Sequence, residues 1–181
     1  MNQGESFPDV HLVKKICVLG SFAAGKSSLV RRYVENIFDE RYLTTVGVKL
    51  EKKRLSIGLT EIEMILWDLA GDDELEQTKP SYFRSASGYV LVVDGCRAVT
   101  IQRALAMHCR AASISGPVPV VVACNKADLR HEWEVNDTDI SQMVGNEWPC
   151  VHTSAKTGQG VDDLFLTLAR SMLAEMSECP S

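Results

Sequence analysis

The sequence predicts an α/β fold: a six-stranded, mostly parallel sheet with one antiparallel hairpin strand and helices on both faces. Short apolar runs alternate along the chain with segments of helical periodicity. One pair of alternating runs is joined by Ser56-Ile57-Gly58-Leu59-Thr60 and reads as a hairpin. The run Tyr89-Val90-Leu91-Val92-Val93-Asp94 is continuously apolar, as a parallel strand covered on both faces must be.

In chain order, residues 1–11 are polar, contain Pro8 and are expected to form a loose tail. One domain is expected over 12–176, followed by a short tail, 177–181. The first strand begins at Leu12 and feeds Gly20-Ser21-Phe22-Ala23-Ala24-Gly25-Lys26-Ser27. A helix follows from Ser28, with Leu29, Val30, Tyr33 and Val34 on one face, and residues 37–45 are irregular. In the hairpin, Val46, Val48 and Leu50 alternate in one strand and Ile62, Met64 and Leu66 in the other. Lys49, Glu51, Lys52, Lys53 and Arg54 are expected along one exposed strand face, protecting an edge. Next come the apolar strand, a helix over 99–113 and a strand over 118–124. A short helix (137–145), a strand (149–153) and a last helix complete the domain. That helix carries the clearest stripe: Val161, Leu164, Phe165, Leu168, Ala169 and Met172. His108 falls among Ile101, Leu105 and Ala112 and reads as a packed helix histidine.

The bulk properties exclude several function classes. A net charge of −5 argues against nucleic acid or an acidic membrane as an obligate partner. No apolar run is long enough to span a bilayer. Six cysteines without C-x-x-C or zinc-ligand spacing suggest reduced thiols in a cytoplasmic protein, expected as a monomer. Cys179 is third from the end and residue 2 is Asn, so no lipid anchor is evident.

The G-x-x-x-x-G-K-S run lies between a strand and a helix, the context in which backbone N–H groups and a helix dipole converge on phosphate oxygens. Lys26 supplies a point charge to the phosphates, and the Ser27 hydroxyl suits Mg²⁺. Ligands of such sheets bind beyond the carboxyl ends of the strands. Asp68 ends one strand, Asn125-Lys126-Ala127-Asp128 follows another, and Thr153-Ser154-Ala155-Lys156 a third.

Phosphate loop, D-x-x-G (Asp68 to Gly71), N-K-x-D and S-A-K occur in an order and spacing that resemble the Ras superfamily of small GTPases, over nearly the whole chain. Tyr42-Leu43-Thr44-Thr45-Val46-Gly47-Val48 and Trp67-Asp68-Leu69-Ala70-Gly71 are most similar to the Rab branch. The resemblance implies a P-loop NTPase (small G-protein) fold that binds GTP or GDP with Mg²⁺ and hydrolyses GTP. It assigns Gly20 through Ser28 to the phosphates, and Ser27, Thr45 and Asp68 to the metal. Thr45 and Gly71 would sense the γ-phosphate. Asn125, Lys126, Asp128, Ser154, Ala155 and Lys156 would hold the base, with the Lys126 stem along it and the Ala155 N–H on its carbonyl. Phe38 would lie against the base or anchor its loop in the core. Effectors and regulators would meet the two switch segments and the Trp67 hairpin.

Two residues depart from the family pattern. Asp72 stands where glutamine orients the attacking water; it is shorter, lacks an amide donor and carries a charge that phosphates repel. Phe22 stands where Ras has glycine, in the space an activating arginine enters; otherwise its ring packs under a switch loop. Lys26, Thr45, Gly71 and Asp72 are therefore the expected catalytic set, with slow turnover; a nucleotide-locked binding module is the alternative. Arg41 reads as a solvated loop charge. A small-molecule kinase would leave N-K-x-D without a purpose.

Overall fold

Period-two burial and continuous apolar runs assemble one sheet in a computed structural model that describes residues 10–39, 45, 47–70, 79–145 and 147–178. Its strands are β1 (Val10–Gly20), β2 (Val48–Ile57), β3 (Thr60–Leu69), β4 (Gly88–Asp94), β5 (Val120–Asn125) and β6 (Cys150–His152). They lie in the order β2-β3-β1-β4-β5-β6. The β2–β3 pair is antiparallel and every other pair is parallel. The helices are α1 (Lys26–Glu35), α2 (Val99–Ser115), α3 (Asp137–Val144) and α4 (Val161–Glu178).

Successive side chains of a strand point to opposite faces, so each face of the sheet has its own apolar layer. Val90 and Val92 of β4 join Leu29 and Tyr33 of α1 and Phe165 and Leu168 of α4. Tyr33 and Phe165 stack with ring centroids 4.0 Å apart. Tyr89, Leu91 and Val93 of the same strand face Ile101 and Met107 of α2 and Ile140 of α3. Each such buried side chain contributes about 1.5–3 kcal/mol. β4 is buried along its whole length, and the stripe on α4 is buried throughout.

The element boundaries shift by a few residues. β1 starts at Val10 rather than Leu12, α2 runs to Ser115, and α4 continues to Glu178. β5 starts at Val120 rather than 118. Pro119 has no N–H to give the ladder, and only its carbonyl takes part, accepting from Tyr89 N. The larger correction concerns β2. Leu50 is 52% exposed, and the charged residues do not share a face. β2 is an edge strand; its apolar contact comes from Leu55 and Ile57, on the face opposite Leu50, while Val48 packs on the other layer. Lys49, Glu51 and Lys53 thus alternate with Lys52 and Arg54 across the sheet.

His108 is held edge-on between Tyr89 and Trp148, with centroids 5.6 and 4.5 Å away. Burial pushes its pKa below the ordinary 6.5. The unfolded chain therefore takes up this proton first as pH falls. Stability present above about pH 6.5 is lost below it, down to the folded pKa. Thermal unfolding followed from about pH 7.5 to 5.5 should show a smaller decline in His108→Leu than in the parent. Equal declines would contradict this.

Candidate functional site

The phosphate loop is shaped by close backbone approaches. Gly20 has φ +149, and a Cβ there would lie 2.4 Å from the Val92 carbonyl oxygen. Gly25 has φ +97, and a Cβ would lie 2.2 Å from Asn125 Nδ2. Ala23 takes the left-handed conformation as well, at φ 59. Gly25 caps α1 without any side chain bonding the first N–H groups of that helix. Lys26 is buried and turns back over its loop, donating to Gly20 O at 2.9 Å and Ser21 O at 3.0 Å. Ser28 is half-buried in the first turn. The Phe22 ring is 39% exposed at the loop surface.

Three oxygen donors from separate elements meet beside this loop. Ser27 Oγ and Thr45 Oγ1 are 2.7 Å apart, and Thr45 Oγ1 donates to Asp68 Oδ2 at 3.2 Å. Oxygens on adjacent corners of a magnesium octahedron are about 2.9 Å apart, so these spacings suit that ion. Asp68 is buried at the end of β3, and its Oδ1 has no hydrogen-bond partner. Burial raises the Asp68 pKa, against hydrogen bonds from Ser27 and Thr45 and the charges of Lys26 and Lys49. Among the described residues, the buried side-chain atoms without a partner are Asp68 Oδ1 and Ser21 Oγ, and both belong to this site. An orphaned, buried carboxylate oxygen among hard donors fits a divalent cation.

Asn125 joins the phosphate loop to the loop that follows β6. Its Nδ2 donates to Ala24 O at 2.9 Å, while its Oδ1 accepts from Thr153 Oγ1 and Ala155 N, each at 3.3 Å. Ser154 Oγ donates to Asp128 Oδ1 at 2.6 Å. The Ala155 N–H, expected on a ligand carbonyl, is thus directed at Asn125 in this structure. Phe38 packs against the α1–α4 apolar layer. Lys156 is exposed, and its carbonyl accepts from Arg32 Nη2 at 2.7 Å.

A family model described as Ras family matches residues 15–174. Human Rab-4B, a Ras-related protein, is 34% identical over 161 residues, covering 88% of this chain and 76% of that protein. Human Rab-21 is 31% identical over 163 residues, covering 88% and 72%. The chain belongs to the Ras family. It is Rab-like, and its sheet, with one antiparallel pair and the rest parallel, is that of a Ras-type P-loop GTPase.

Asp94, Arg97 and Arg32 of this Ras-family chain escaped the sequence reading. Asp94 ends β4 fully buried, and its Oδ2 accepts from Lys126 Nζ at 2.8 Å and Arg97 Nε at 2.7 Å. Arg97 also donates to Phe22 O at 2.9 Å, tying the charge pair to the phosphate loop. The Lys126 ammonium is therefore anchored on protein, in a residue whose φ is 67. Arg32 Nε donates to Ala155 O at 2.8 Å and, with the Lys156 contact, fastens the S-A-K loop to α1. The strand-end rule that picked out Asp68 applies equally to Asp94. Arg32 offers no such signal. Gly71, Asp72, Arg41, residues 42–44 and Val46 lie outside the described residues.

Asp94→Ala leaves two cations facing one another without their shared counter-charge. Both are partly exposed, which moderates the cost to about 2 kcal/mol. Urea unfolding should report that loss; a change under about 0.5 kcal/mol would contradict it.

Proposed function

We propose that the chain binds GTP and GDP with Mg²⁺ as a nucleotide-dependent switch and hydrolyses GTP slowly. The observation that carries this reading is Asn125, whose side chain joins the phosphate loop at Ala24 to the Thr153–Ala155 loop, where Ser154 in turn bonds Asp128. Backbone N–H groups of residues 20–28 and Lys26 would hold the phosphates, and the Asp128 carboxylate would accept both N–H donors of the guanine edge. Ser27, Thr45 and Asp68 would hold Mg²⁺, which supplies neutralisation of charge on the phosphate oxygens. Thr45 reaches this cluster from the first switch segment, where gain or loss of the γ-phosphate would change its hold. Leu50 and the half-buried Trp67 are cross-strand partners on one sheet face, with Lys15 Nζ 3.7 Å from the Trp67 ring centre. That face suits an effector or regulator protein.

Slow hydrolysis is expected because Asp72 stands in the sequence where the family has its water-orienting glutamine, and Phe22 lies at the loop surface. Unassisted Ras turns over at roughly 3–5 × 10⁻⁴ per second, and this chain should fall at or below that scale. Phe22→Gly with Asp72→Gln should raise single-turnover hydrolysis, or restore a response to an activating protein. Fast hydrolysis by the unmodified chain would refute slow turnover; no phosphate release from either protein over hours would favour the nucleotide-locked module.

A further inference from the structure

Cys150 and His152 lie 26 and 28 residues beyond Cys124 along the chain, a spacing that resembles no metal motif. Parallel pairing of β5 and β6 brings them together. Cys124 is the register partner of His152, and Val122 that of Cys150, so all three side chains share one face of the sheet. The two Sγ atoms are 2.8 Å apart, and one ligand atom from each residue lies within 4.8 Å of the others. Neither cysteine is in a disulfide. β6 is the outermost strand, so Cys150 is exposed, His152 half-buried and Cys124 buried. The Trp133 ring, 5.3 Å from the imidazole, packs edge-on against His152.

We propose that these three side chains form a zinc site with two thiolates and one imidazole. Thiolate and imidazole are the soft and borderline donors that select Zn²⁺, whereas the Ser27–Thr45–Asp68 oxygens suit Mg²⁺. Zinc–sulfur and zinc–nitrogen bonds of about 2.3 and 2.0 Å set donors roughly 3.5–3.8 Å apart in a tetrahedron. The two Sγ atoms must move apart from 2.8 Å to reach that spacing, and all three ligand atoms already lie within 4.8 Å of one another. Binding releases the two thiol protons, and the open side at Cys150 leaves the fourth position to water. Asn125 follows Cys124 directly, and Thr153-Ser154 follows His152. A metal here fastens the strand ends beneath both base loops and should slow nucleotide release. This last consequence rests on the guanine reading.

The test titrates the reduced full chain anaerobically with Co²⁺ and then Zn²⁺, in excess Mg²⁺ and GDP. One equivalent of Co²⁺ should give a thiolate-to-cobalt charge-transfer band that Zn²⁺ abolishes. Loss of an outer-shell partner already costs about 10–100-fold in metal affinity, so Cys150→Ser and His152→Gln should each weaken zinc by about 100-fold. Both lie on the edge strand, where circular dichroism should report an intact fold. Cys109→Ser, on α2, should change nothing. Absence of the band, unchanged zinc affinity in Cys150→Ser, or a Cys124–Cys150 disulfide in air from a protein that retains no metal when reduced would overturn the site. GDP release measured with and without zinc separates the two claims. Tight zinc without slower release refutes the coupling alone, and failure to bind GDP refutes the nucleotide reading while the zinc result stands.

Discussion

Asp128→Asn should lower GDP affinity by about 100-fold and move preference towards xanthine nucleotides. A carboxylate offers about four acceptor positions. Ser154 Oγ occupies one on Oδ1, leaving others for the two N–H donors of a guanine edge. Hydrogen bonds to a charged group are worth about 1.5–3 kcal/mol each, and the amide turns a donor towards donors. A loss of about 3 kcal/mol corresponds to roughly 100-fold. Xanthine carries a carbonyl at that edge and accepts what guanine repels. Displacement of a fluorescent GDP analogue measures both effects, and an unchanged GDP affinity would remove Asp128 from the base site.

Gly25→Ala should abolish nucleotide binding at micromolar concentration while the fold persists. The φ of +97 is costly for any residue with a Cβ, by about 1–2 kcal/mol. The added methyl also falls 2.2 Å from Asn125 Nδ2, so the Asn125 side chain must leave Ala24 O. That detaches the phosphate loop from the base loops, since the same side chain meets Thr153 and Ala155. Isothermal titration with GDP, alongside circular dichroism, should show lost binding with retained helix. Near-parental affinity would mean that Asn125 does not hold the loops together.

Much of the site was legible because its residues sit at strand ends in short runs. Ser27, Asp68, Asn125 and Asp128 each follow an apolar run that hydrophobic pattern alone locates, and the fold brings Thr45 to Ser27 and Asp68. Pairings between distant strand ends were harder to read. Asp94 sits in a polar Asp-Gly-Cys-Arg turn that looks solvated, yet it is fully buried under Lys126 and Arg97. Arg32 is one of two adjacent helix arginines, and only the fold shows that it reaches the carbonyls of Ala155 and Lys156. The exposure of Leu50 was not legible, because alternation gives a strand's period without saying which face a helix covers. The cysteine–histidine cluster was invisible for a related reason: strand register, not sequence spacing, assembles it.

Competition binding in excess Mg²⁺ tests the guanine-nucleotide assignment most directly. Unlabelled GDP, GTP, ADP and ATP would be titrated against a fluorescent guanine nucleotide held by the unmodified protein. GDP and GTP should compete at least about 100-fold better than ADP and ATP, because adenine leaves the Asp128 carboxylate without its donors. ATP competing as well as GTP, or no binding of the guanine nucleotide at all, would contradict the account.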